Sequence, residues 1–271
     1  MIRIDKSRFR VKPGKKIRLS DYDPADTSLM PDKTKALVRI QKDVRKLQKL
    51  QDRFYAEHQR ALLVVLQGMD ASGKDGTIKH VMRGLNPQGC SVVSFKVPDG
   101  EELDHHFLWR IERAMPRHGH IGVFNRSHYE DALVGRVHKL VPKKVWKKRY
   151  DQINRFEELE SELDTVILKF FLHISKDEQK KRLEERLQSP EKNWKFSPAD
   201  VKERKLWNDY QDVYEDILNK CSTESAPWYI IPADHKWFRN WMVATVIVGT
   251  LESLNPQYPP PRADLSKIRI E

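Results

Sequence analysis

Residues 61–76 read ALLVVLQGMDASGKDG, seven residues of mostly aliphatic character followed by glycines at 68, 73 and 76 around Lys74. A strand that is apolar on both faces belongs in the interior of a parallel sheet. Four residues separate Gly68 from Gly73-Lys74, which is the spacing of a loop whose backbone N–H groups surround a phosphate while lysine supplies a point charge. A helix starting near Asp75 adds its positive end to the same spot. The residue after the lysine is ordinarily Ser or Thr, whose hydroxyl serves Mg²⁺. Here it is Asp75, and Asp70 lies on the other side of the lysine.

Working outward, further apolar runs at 91–97 (SVVSFKV), 120–125 (HIGVFN), 165–174 (TVILKFFLHI) and 228–233 (WYIIPA) read as strands. Helical patterns cover 33–58, 101–114, 129–137, 143–163, 176–187, 198–220 and 235–254. Five strands alternating with helices predict a doubly wound α/β fold. Ser175-Lys-Asp-Glu178 has the form of a capping box, and Ser197-Pro198 sets a cap before a first-turn proline. The helix–link–helix hairpin over about 176–210 is therefore expected as a lid. Residues 1–32, with Pro13, Pro24 and Pro31, read as an arm wrapping the surface, and 33–271 as one domain.

The chain has 271 residues, 39% hydrophobic and 33% charged, with a formal charge of +11. This composition suits a globular protein whose field attracts polyanions, without choosing among them. Cys90 and Cys221 lack disulfide or metal-ligand spacing, and the charged N-terminus has no signal-like apolar core, so a cytoplasmic setting is expected. The apolar run 241–251 is too short to span a membrane and reads as a buried helix.

A second constellation, VFNRSHYED (123–131), follows the third strand. Phosphate-transferring folds place an Asp there for the metal ion or its waters. Asn125 stands in its place, with Arg126 beside it and Glu130 and Asp131 five and six residues on, at the start of the next helix, close enough to return a carboxylate to the site. A third group is basic: Lys79 and Arg83 after the loop, Lys180, Lys181, Arg182 and Arg186 on the lid helix, Lys192 and Lys195 in its link. Arg182 and Arg186, four residues apart, share one helix face. The histidines show no metal spacing, and Trp194, Phe196, Trp207 and Tyr210 read mainly as packing, one of them a candidate for stacking on a base.

Taken together and in order, LQGMDASGKDGTIKHVM, NPQGCSVVSFKVP, EELDHHFLWRI, GVFNRSHYED, KFFLHISKDEQKKRLEERL, NWKFSPADVKERKLW and APWYIIPADHKW resemble the polyphosphate kinase type 2 family from about residue 20 to about 253. The resemblance implies a P-loop kinase fold like that of thymidylate kinases, with a five-stranded parallel sheet and a helical lid. It implies Mg²⁺-dependent, reversible phosphoryl transfer from inorganic polyphosphate to nucleotides, with Mn²⁺ as a substitute cation. Matched residue by residue, it assigns catalysis to Asp70, Lys74, Arg126 and Glu130, and metal binding to Asp70 and Glu130. Polyphosphate falls to Gly73, Lys74, Asp75, Gly76, Lys79, Arg182 and Arg186, and the nucleotide to Asp70, Asn125 and Arg126.

Asn125 and Glu130 depart from the Asp and Asn of many family members. That paired exchange resembles the class III subgroup, which accepts AMP and ADP; guanine nucleotides are further candidate acceptors. A homo-oligomer, dimer or tetramer, is expected, with neither nucleic acid nor membrane as partner. Two alternatives stay open at this point: an ATP-dependent nucleotide kinase on the same fold, and a nucleic-acid-binding NTPase suggested by charge alone.

Overall fold

The computed structural model describes residues 6–270; the first five residues of the expected arm lie outside it. Nine helices and five strands follow one another among the described residues: α1 (Lys33–Glu57), β1 (Ala61–Gln67), α2 (Lys74–Val81), β2 (Cys90–Ser94), α3 (Trp109–Glu112), β3 (Ile121–Asn125), α4 (Tyr129–Val137), α5 (Lys143–Glu162), β4 (Thr165–His173), α6 (Lys176–Gln188), α7 (Pro198–Lys205), α8 (Trp207–Lys220), β5 (Trp228–Pro232) and α9 (Lys236–Leu254). The strands form one parallel sheet in the order β2-β3-β1-β4-β5. Every residue of β1 is buried, as its two-faced apolar sequence requires. Helices α1, α2 and α9 pack together, and α4, α5 and α8 form a second group.

The expected elements appear with three differences. The run 91–97 ends as a strand at Ser94, because β3, its sole ladder partner, ends opposite it at Asn125. The region 101–114 forms a short 3₁₀ turn and the four-residue α3 rather than one helix, and Leu103 at the end of the turn stays 68% exposed. The helix expected over 198–220 breaks at Leu206, whose N–H bonds the Glu203 carbonyl in a tightened turn. Ser175 and Ser197 cap α6 and α7 as their sequences suggest.

The arm does more than wrap the surface. Phe9, Val11, Ile17 and Leu19 bury their side chains in the common core, and Val11 exchanges backbone and hydroxyl bonds with Trp228 and Ser222. Helix α9 buries twelve residues between Phe238 and Leu251. Among the described residues no helix is long and apolar enough to cross a membrane.

One polar residue interrupts the apolar β4. Lys169 is fully buried and gives its three protons to the Glu157 carboxylate, the Tyr129 hydroxyl and the Cys221 carbonyl. Glu157 also accepts from Tyr129 and His128. Burial pulls the Lys169 ammonium down and pushes Glu157 up; Lys169 and His128 outweigh that push and hold Glu157 below its ordinary value. The network ties β4 to α5 and to the first turn of α4. Removing one partner leaves a buried charge alone, so Lys169→Ala should lower unfolding free energy by about 3–5 kcal/mol in urea titration. A loss below about 1 kcal/mol would show that the pair is not holding these elements together.

Candidate active site

Strand register brings the two constellations together. Leu66 at the end of β1 lies opposite Asn125 of β3, and Gln67 opposite Phe171 of β4. The glycine loop, the turn after β3 and the lid after β4 therefore meet at the carboxyl edge of the sheet, where open α/β sheets bind ligands. A cavity of about 730 Å³ opens there, its wall carrying nine lysines and arginines against four carboxylates. That surplus of charge makes it a site for an anion of high charge density.

Two glycines of the loop have steric reasons to be glycine. A Cβ on Gly68 would stand 2.7 Å from the Leu172 carbonyl of β4, and one on Gly73, whose φ is +101°, would stand 1.8 Å from Nη1 of Arg239. Lys74 folds back, its Nζ donating to the Gly68 and Met69 carbonyls at 2.8 and 3.3 Å. Burial and the Arg126 charge bring its pKa down to about 8 against the pull of Asp70, Glu130 and Asp75.

Arg126 holds φ at +63°, a left-handed conformation that costs a non-glycine residue on the order of 1–3 kcal/mol. Its N–H bonds the Leu66 carbonyl and its Nη2 donates to Asp70 Oδ1 at 3.0 Å, which fixes the guanidinium over the loop. Glu130, half-buried one residue into α4, interacts electrostatically with Arg126, Lys74 and Asp70 and does not line the cavity. Burial raises its pKa, while Arg126 and Lys74 oppose the rise.

Asp75 answers the question its position raises. Its carboxylate accepts from Asn125 Nδ2 at 2.8 Å and from Lys195 Nζ, in the lid link, at 3.0 Å. Partial burial pushes Asp75 up, but these bonds and the charges of Lys195 and Lys74 hold it below the ordinary carboxylate range. The residue that replaces the hydroxyl thus bridges the loop helix, β3 and the lid, and Asn125 spends its amide on that bridge.

Of the basic residues expected to meet phosphate, Arg186 lines the cavity with a weak partner, Asp200 at 3.3 Å. Arg182 borders it too, but its five N–H groups are all committed: to Glu178, to the Ala71 and Ser72 carbonyls of the loop, and to the Ala233 and Asp234 carbonyls after β5. The expectation that Arg182 presents its guanidinium to phosphate is therefore corrected; it clamps the loop. Lys79 is exposed and lies outside the cavity wall. Sequence reasoning missed Lys96, Lys236 and Arg239, all of which line it. Arg239 had a signal: a cation inside a helix otherwise read as buried requires a polar partner.

A parallel sheet whose central strand ends in a glycine–lysine loop beneath a basic helical lid defines a phosphotransferase of the kinase type. The chain belongs to the polyphosphate kinase 2 family, whose profile, described as Polyphosphate kinase 2 (PPK2), matches residues 30–259. The AMP/ADP-polyphosphate phosphotransferase of Meiothermus ruber is 52% identical over 265 residues, covering 97% of this chain and 99% of that protein. The ADP-polyphosphate phosphotransferase of Rhodopseudomonas palustris is 45% identical over 270 residues, covering 95% and 93%. The crystal structure of polyphosphate kinase 2 from Arthrobacter aurescens TC1, 40% identical, superposes with a TM-score of 0.92 over 96% of this chain and 93% of that one.

Because Asp75 and Lys195 are both partly exposed, Asp75→Asn should change stability by less than about 1 kcal/mol. It should nevertheless free the lid link, so that trypsin cuts after Lys192 and Lys195 several-fold faster. An unchanged cleavage rate would mean that the bridge does not restrain the lid.

Proposed function

We propose that the protein transfers the terminal phosphoryl group of inorganic polyphosphate to AMP and to ADP, reversibly, with guanine nucleotides as further acceptors. The observation that carries this reading is the cavity wall, with nine cations against four carboxylates extending from the loop along the lid. A polyanionic chain needs successive positive groups along its length, whereas a single triphosphate is served by the loop and its lysine. The names of the Meiothermus ruber and Rhodopseudomonas palustris relatives point the same way.

In this reading Lys74 leaves the Gly68 and Met69 carbonyls to meet the transferred group, and Arg126, held by Asp70, neutralises charge that develops on it. Arg186, Lys192 and Lys195 carry the remainder of the donor chain. Asp75 gives up Lys195 to phosphate when the donor enters. Transfer proceeds in line, with the protein supplying position and charge rather than a covalent intermediate.

Mg²⁺ is assigned to Asp70 and Glu130, with Mn²⁺ as a substitute. These are two hard oxygen donors, interacting with each other and with Arg126 and Lys74. That donor set fits Mg²⁺, which is held by one or two carboxylates and completed by substrate phosphates. When bound, the ion would neutralise phosphate oxygens and hold donor and acceptor in register. We assign the protein to the cytoplasm and to a dimer or tetramer, the oligomer supported by Leu37 and Val38, which stand 45% and 50% exposed on α1.

The test is purified protein with Mg²⁺ and long-chain polyphosphate, offered AMP, ADP, GMP or GDP, with products separated by chromatography. ADP and ATP from AMP are expected; transfer from ATP but not from polyphosphate would replace this reading with an ATP-dependent kinase. Lys74→Ala and Asp70→Asn should each lower turnover at least ~100-fold, about 2.7 kcal/mol of barrier, with the fold intact by circular dichroism. Glu130→Gln should shift the Mg²⁺ requirement upward in a metal titration, and an unaltered titration would remove Glu130 from the metal site.

A further inference from the structure

Two arginines lie buried against the loop, and their charges are balanced differently. Arg182 has the Glu178 carboxylate at 2.8 Å. Arg239, three residues into α9 and 2% exposed, gives Nη1 to the Ser72 carbonyl at 3.0 Å, and Nε and Nη2 to Asn240 Oδ1 at 3.1 and 2.9 Å. No carboxylate pairs with Arg239 among the described residues, and the charge acting on it is that of Arg182, a like charge. A buried guanidinium without a counter-ion is unfavourable unless something else supplies the negative charge. Its three bonds leave two of its five N–H groups unused, and it borders the cavity.

The backbone records what this placement does. The Ser72 carbonyl accepts from both Arg182 Nη1 and Arg239 Nη1. In a trans peptide the N–H points opposite to the C=O. The Gly73 N–H is therefore aimed away from the two arginines, and it makes no hydrogen bond to the described residues. A Cβ at Gly76 would lie 3.2 Å from Arg239 Nη2, so the guanidinium packs against the loop helix at Gly73 and Gly76 together.

We propose that Arg239 is a positioning residue for phosphoryl transfer, turning the Ser72–Gly73 peptide so that its N–H meets the donor phosphate, with the phosphate chain serving as the counter-ion the protein leaves out. The proposal rests on the polyphosphate reading and deepens it. Burial and the Arg182 charge bring the Arg239 pKa down to about 9, and a bound anion would relieve that.

The experiment compares the parent with Arg239→Met, Arg239→Lys and Asn240→Asp, each with and without tripolyphosphate in a thermal-unfolding assay, together with steady-state kinetics. Arg239→Met should lose at least about half of the tripolyphosphate-induced rise in Tm and raise KM for polyphosphate about 10-fold, the loss of a charged hydrogen-bonding partner, while KM for ADP holds. Arg239→Lys, which keeps the charge, should retain most of the rise. Asn240→Asp supplies the missing carboxylate, so its Tm without anion should increase and its response to tripolyphosphate should shrink. This variant keeps the test intact if the Met variant does not fold.

A Met variant, or failing that an Asp variant, with the parent's tripolyphosphate response and polyphosphate KM would overturn the proposal, whatever its basal Tm, because a purely structural arginine predicts that result. A parent that uses ATP alone yet responds to tripolyphosphate through Arg239 would sink the functional reading and leave the positioning role standing. A parent with no response to tripolyphosphate would overturn the positioning role itself.

Discussion

The carbonyl of Ser72 accepts hydrogen bonds from two buried arginines, and the working surface of the molecule is built around that contact. One arginine comes from the lid helix and the other from the last helix, 110 and 167 residues away in the chain. Together they join the loop to α6 and α9 and to the backbone after β5. Gly73 must lack a side chain because a guanidinium occupies the space a Cβ would need.

Charge is balanced unevenly around this contact. Lys169 is matched by Glu157, Arg182 by Glu178 and Arg126 by Asp70. Other wall cations are less completely paired than Arg126 and Arg182: Arg186 has a long contact to Asp200, Lys195 shares Asp75 with Asn125, and Arg239 has no acid. The surplus of cations on the wall leaves positive charge at the place where a chain of phosphates would lie. The exposed bridge between Asp75 and Lys195 is weak by itself, so an entering anion can take Lys195 over without a large penalty.

Much of the architecture was legible because it depends on local pattern. The aliphatic run at 61–67 could be satisfied only in the middle of a sheet, and the glycine–lysine spacing located the loop after it. The failures came where a neighbour decided the outcome. β2 stops where β3 ceases to offer partners, and 101–106, mostly exposed, has no buried face to hold one helix over 101–114. Arg182 looked like a phosphate ligand from its helix face, yet Glu178 one turn back on its own helix and four carbonyls from two distant segments take all of its protons.

By itself the sequence determined the order of the elements, the loop, the family and the cluster of Asp70, Lys74, Arg126 and Glu130, because each follows from residue type at short spacing or from motifs in order. Only the tertiary structure decided which cations face the cavity and which are already spent. That choice depends on long-range partners: Ser72 with Arg239, Asp75 with Lys195, Asp70 with Arg126. Hydrogen-bond donors are finite, and whether an arginine has any left for a ligand is known only when every acceptor around it has been placed.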